Sequence, residues 1–116
     1  MRRKTTDALL AFAASAACAF AAPDFSRDIK PILEKRCYGC HGPEKQKSGL
    51  RLDQRVEALQ GGYSGAVIIP GHGATSPLFV HISGGEPDAI MPPESEGEPL
   101  APAQVALIKA WIDAGA

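Results

Sequence analysis

Aromatic side chains are scarce in this chain: one Trp, two Tyr and four Phe in 116 residues, a thin supply for a packed core. Cysteine is scarcer still. Cys18, Cys37 and Cys40 are the whole set, too few for the disulfide framework of a small exported protein. The mostly apolar run from Ala8 to Ala17 is short for a membrane span, which needs about 20 apolar residues. Neither sign of charge dominates, the formal net charge being −1, which argues against a nucleic-acid or anionic-membrane partner. No βαβ pattern and no nucleophile–base pair emerges, so nothing points to a hydrolase. The length allows one domain.

The N-terminus reads as a secretory signal. Arg2, Arg3 and Lys4 precede the apolar run, and Ala19-Phe20-Ala21 supplies a small-residue cleavage site. The expected organisation is therefore a signal peptide over 1–21 and a mature domain over 22–116, with an uncleaved anchor as the alternative. The residues after Arg2-Arg3 do not support twin-arginine export, and no leucine stands three places before Cys18 as a lipoprotein signal would have it. Without residues 1–21 the chain keeps nine basic and twelve acidic residues, net −3. Cys37 and Cys40 are then the only thiols.

Those two thiols lie in Cys37-Tyr38-Gly39-Cys40-His41, the attachment signature of a c-type haem. Each thiol can add across one porphyrin vinyl group, and the residue that follows then lies under the iron. Neutral imidazole is a good iron ligand, which makes His41 the candidate proximal one. Three other readings compete. A thioredoxin-like redox pair belongs near a βαβ pattern. A zinc site would have to recruit His72 and His81, since no second Cys pair follows. A simple disulfide is the third. None of them gives the adjacent histidine a role. A buried porphyrin would also supply the apolar bulk that the aromatics do not, and its covalent anchors would staple a small domain.

Along the chain, Phe25, Ile29, Ile32, Leu33 and Arg36 follow helical spacing up to the haem motif, with Asp28 as the expected N-cap and Pro31 in the first turn. Leu50, Leu52, Val56 and Leu59 suggest a short helix begun near Asp53 and closed by Gly61-Gly62. Arg51 fits either a haem-propionate partner or a solvated surface cation. Ala66–Gly71 is too short an apolar run to assign. Ser76-Pro77 opens a helix that Gly84-Gly85 stops, with Ser76 as N-cap. His72 and His81 read as surface or supporting residues rather than ligands. Pro102 to Gly115 reads as a final helix, with Val105, Ile108 and Ile112 in one stripe and Leu107 and Trp111 beside it. Trp111 is expected to pack in the core.

Met91, in Ala89-Ile90-Met91-Pro92-Pro93, is the candidate distal ligand. It sits in a proline-stiffened loop with no helical stripe to bury it, and the other methionine is Met1. A thioether opposite a histidine is the axial pair of cytochromes c, and it raises the reduction potential.

Taken together, the layout resembles that of class I cytochromes c and, more closely, the planctomycete-type cytochrome c domain. The resemblance is carried by Ile29–Leu33, Cys37–Gly42, Gly49–Asp53, Ile69–Gly71, Ser76–Leu78, Met91–Pro93 and Trp111–Ala116. It implies an all-α haem domain whose first and last helices cross, with long loops between. It implies one covalent haem c on Cys37 and Cys40, iron held by His41 and Met91, and outer-sphere electron transfer to redox partner proteins rather than enzymatic turnover. The location implied is the periplasm or another exported space. Two departures stand out. Ala101 replaces the usual serine-like N-cap, and such domains often begin much larger proteins, so both a stand-alone carrier and a module are open. A haem-based ligand sensor or peroxidase-like module is the alternative function, requiring Met91 off the iron or easily displaced. The basic stretch Lys45–Arg55 and the acidic stretch Glu86–Glu98 are zones that could orient docking, and ordinary solvated charge explains them equally.

Overall fold

Apolar residues three and four apart near both ends of the chain give the protein its frame. The computed structural model describes residues 21–116; the expected signal, except Ala21, lies outside the described residues, as does Cys18. Among the described residues there are four α-helices and no strand. They are α1 (Lys30–Arg36), α2 (Arg55–Gln60), α3 (Pro77–Ile82) and α4 (Pro102–Asp113). The all-α expectation is met. No helix among these residues is long and apolar enough to cross a membrane.

The approach to α1 differs from the expected Asp28 start. A wide π-type turn, Phe25–Ile29, runs straight into the helix, and Asp24 caps it by accepting from the Arg27 amide at 2.8 Å. Asp28 instead accepts from the Asp24 amide at 2.8 Å and pairs with Arg27 at 3.0 Å. The Lys30 amide bonds the Phe25 carbonyl, so the register shifts just before Pro31, where the missing proline N–H leaves no gap in the ladder.

The core joins the two ends of the chain. Ile29, Ile108 and Ile112 are fully buried and Leu33 almost so; each such side chain contributes roughly 1.5–3 kcal/mol of burial. Helix α4 packs on the Phe25–Ile29 turn and on α3. Trp111 is a packing residue as expected, its ring 5.5 Å from that of Phe25. The missing side-chain cap at Ala101 is partly offset: Gln104 reaches back to accept from the Ala101 amide at 3.0 Å.

The loops between are held by polar bonds. Ser76 stands at the N-terminus of α3, but its hydroxyl does not cap that helix. It accepts from the Ile69 amide at 2.9 Å and donates to the His72 carbonyl at 2.8 Å, closing the 69–76 loop on itself. Asp113 accepts from the Gly73 amide at 2.6 Å and from Lys109 Nζ at 2.8 Å, while the Gly71 amide donates to the Ile112 carbonyl at 2.8 Å. These bonds hold the end of α4 against the loop that leads into α3.

Candidate haem site

The Cys37–His41 segment extends α1 by one turn. The amides of Cys37 and Tyr38 bond the Leu33 carbonyl, and the His41 amide bonds the Cys37 carbonyl at 2.9 Å. Cys37, Cys40 and His41 are thereby three and four positions apart on a helical turn, where such residues share a face. Gly42 is buried and has no room for a side chain, because the Tyr38 carbonyl oxygen occupies the place a Cβ would take. The turn after the motif then doubles back through Gly42 N–H to Lys45 O at 2.8 Å and Lys47 N–H to Cys40 O at 2.8 Å.

That turn forms part of a cavity of about 330 Å³, within the usual range of about 300–1,000 Å³ for small-molecule and cofactor sites. Cys37, Cys40, His41 and Met91 all line it, so the four residues expected from the sequence come together. Leu50, Leu52, Val67, Leu78, Ile82, Pro92 and Pro93 supply an apolar wall, and Lys35, Arg36 and Glu96 add charge. Both thiols are free. Burial pushes the Cys37 thiol up to about 11. Nδ1 of His41 lies 3.2 Å from the Leu50 carbonyl. A carbonyl only accepts, so Nδ1 carries a proton, and in the neutral ring Nε2 then keeps the lone pair. Two thiols, an imidazole with one nitrogen so fixed, and a thioether in one apolar cavity are a donor set that fits a c-type haem.

The structure also decides between readings that the sequence left open. Arg51 is not part of the cavity: its guanidinium makes two bonds to Asp53, at 2.7 and 2.9 Å, and that pairing holds the Asp53 carboxyl below the usual carboxylate range. The cations that do line the cavity are Lys35 and Arg36, and Arg36 also donates to the Glu98 carbonyl. The helical spacing that ends at Arg36 was the one sequence signal for it. His72 is exposed and outside the cavity, whereas His81 lines it. Among the described residues no group of three or more His, Cys, Asp or Glu is gathered as a metal site, which leaves the zinc reading without a ligand set. Tyr63 also lines the cavity, its ring lying over Gly49 so closely that a Cβ there would stand 2.5–2.9 Å from ring carbons.

No curated protein and no solved structure matches the chain. The family of planctomycete cytochrome C matches residues 37–95, just over half of the chain, from the first motif cysteine past the methionine loop. The match covers every residue that lines the cavity from Cys37 to Pro93, and the helical frame agrees with it. On the strength of that span, the chain belongs to the planctomycete cytochrome C family.

Proposed function

We propose that the domain is a single-haem electron carrier, with one haem c bound through thioether links to Cys37 and Cys40 and its iron held between His41 and Met91. One observation carries the reading. A single apolar cavity collects all four residues, and the Leu50 carbonyl already fixes the tautomer that His41 needs. When bound, the haem supplies a one-electron iron couple.

The chain's own residues do the rest. Leu50, Leu52, Val67, Leu78 and Ile82 give the cavity an apolar wall that would pack against the porphyrin and leave little room for water. Lys35 and Arg36 offer cations to the haem carboxylates, the role that Arg51, tied to Asp53, does not take. Pro92 and Pro93 stiffen the loop that carries Met91. Residues 1–21 act as the export signal, and the protein works in the periplasm or an equivalent exported space, where covalent haem attachment takes place. Its partners are redox proteins, met through the exposed charges of Lys45, Lys47 and Arg55 and of Glu86–Glu98.

The alternative, a ligand sensor or peroxidase-like module, requires Met91 to be off the iron or easily displaced. The visible spectrum of the protein matured with haem, oxidised and reduced with dithionite, separates the two. The carrier is expected to show sharp reduced bands that survive denaturation and a far-red Met–iron band when oxidised. Covalent haem without the far-red band, with rapid carbon monoxide binding, would favour the sensor reading. No haem after competent maturation would sink both.

A further inference from the structure

Two histidines of the cavity are held in the same way. Nδ1 of His41 lies 3.2 Å from the Leu50 carbonyl, and Nδ1 of His81 lies 2.9 Å from the Ala89 carbonyl. Both rings donate through Nδ1, and in the neutral imidazole that tautomer leaves Nε2 as the acceptor. Among the described residues neither Nε2 has a hydrogen-bond partner. A ring nitrogen pinned by a backbone carbonyl is the support that metal-bound histidines almost always have. His81 has it in the shorter of the two bonds.

The elements around His81 direct it the same way. Leu78, His81 and Ile82 are three and four positions apart on α3, and all three line the cavity, so this face of the helix is turned to it. Met91 reaches the cavity from the adjacent backbone: its amide donates to the His81 carbonyl at 3.1 Å. The two residues are thus neighbours, one a half-buried imidazole with a fixed ring, the other a thioether on the wall of the same cavity.

The geometry points to His81 as an alternative axial ligand to Met91. This rests on the proposal that the cavity holds a covalent haem whose iron is bound by His41. The exchange breaks the bond from Met91 sulfur to iron and forms one from Nε2 of the neutral His81 ring, with no change in oxidation state. Imidazole suits iron at least as well as a thioether does, and a thioether ligand raises the potential relative to a second histidine. The domain would therefore have a high-potential and a low-potential form, and a displaced methionine would not leave the iron open.

The test uses the haem-loaded protein and three variants: M91L, which keeps the side-chain volume, H81Q, and the M91L/H81Q double variant. Haem content is read first, by the spectrum after denaturation in alkaline pyridine. Ligation is read by electron paramagnetic resonance of the ferric form and by the rate of carbon monoxide binding to the ferrous form. M91L is expected to be low-spin with a bis-imidazole signature and unaltered by added imidazole. The double variant is expected to be high-spin, to turn low-spin with added imidazole, and to bind carbon monoxide at least tenfold faster than M91L. A bis-imidazole signal already present in the parent protein and lost in H81Q would support the same assignment. Covalent haem with a high-spin M91L that takes up imidazole as readily as the double variant would overturn it while leaving the electron-carrier proposal intact. Absence of covalent haem from the parent protein would overturn both. Should M91L fail to fold, as judged by its far-ultraviolet dichroism, M91A is measured in its place against the same outcomes.

Discussion

The carbonyl oxygen of Tyr38 fills the space where a side chain on Gly42 would begin. The Cys37–His41 turn and the chain that leaves it are therefore packed backbone against backbone. Gly42→Ala forces this contact apart and is expected to destabilise the domain by about 1–3 kcal/mol, as overpacking of a tight site does. Because the strained atoms belong to the motif itself, the yield of covalent haem per folded molecule should fall too. Equal haem loading in the variant and the parent protein would show that the turn has room to adjust.

Cys37 supplies a prediction for the haem-free protein. Its thiol is pushed up from 9.0 to about 11 by burial, the nearby Arg36 opposing the shift. The folded state holds the proton that the unfolded chain releases first, so the unfolded state binds fewer protons between these values. Stability is then complete below about pH 9 and is lost as the pH rises towards 11, by about 2–3 kcal/mol in all. Urea unfolding across that range checks the sign. Alkylation of Cys37 at neutral pH should also be much slower in the folded protein than in the unfolded chain.

Ser76→Ala removes the hydroxyl that links the Ile69 amide to the His72 carbonyl in a fully buried setting. The Ile69 amide loses its partner, while the His72 carbonyl keeps the Ser76 amide at 3.0 Å, so the cost should be about 1 kcal/mol or a little more. A lower urea midpoint with an unchanged slope is the expected result.

Asp113→Asn tests the bond between the end of α4 and the loop at Gly73. The Lys109 ammonium and the Gly73 amide hold the Asp113 carboxyl below its usual range. A depressed carboxylate stabilises the fold above the unfolded-chain value and loses that contribution as the pH falls through the folded value. The variant should thus melt at a lower temperature than the parent at pH 7, and the gap should narrow in acid. A gap that stayed constant down to pH 2 would mean that the charge plays no part.

Most of the frame could be read from the sequence because it rests on local signals. Ile108 and Ile112 at helical spacing, Pro102 at the first turn and Gly115 at the end mark α4 without any knowledge of its neighbours. The haem motif is likewise contiguous. What the sequence did not disclose depends on choices between rival polar partners. Arg51 could have turned to the cavity, but Asp53 lies two residues away and engages its Nε and one terminal nitrogen in a bidentate pair. Ser76 occupies an N-cap position, yet the Ile69 amide and the His72 carbonyl, seven and four residues back, hold its hydroxyl. His81 resembles any histidine on a short helix until the loop returns the Ala89 carbonyl to its ring. The Ser76 and His81 contacts are decided by loop closures that periodicity does not encode, and the Arg51 one by a local pairing that it does not encode either.

The burial of Ile29 against α4 also sets an order of assembly. Phe25–Ile29 is synthesised early, but its partners Ile108 and Ile112 follow about 80 residues later. Contacts that span so much sequence close late. The thiols of Cys37 and Cys40 would therefore emerge on a chain whose core is still open, and haem attachment would come before the ends meet. A chain stopped before Pro102 should stay expanded yet still acquire haem, whereas the complete haem-free domain, allowed to fold first, should acquire it more slowly.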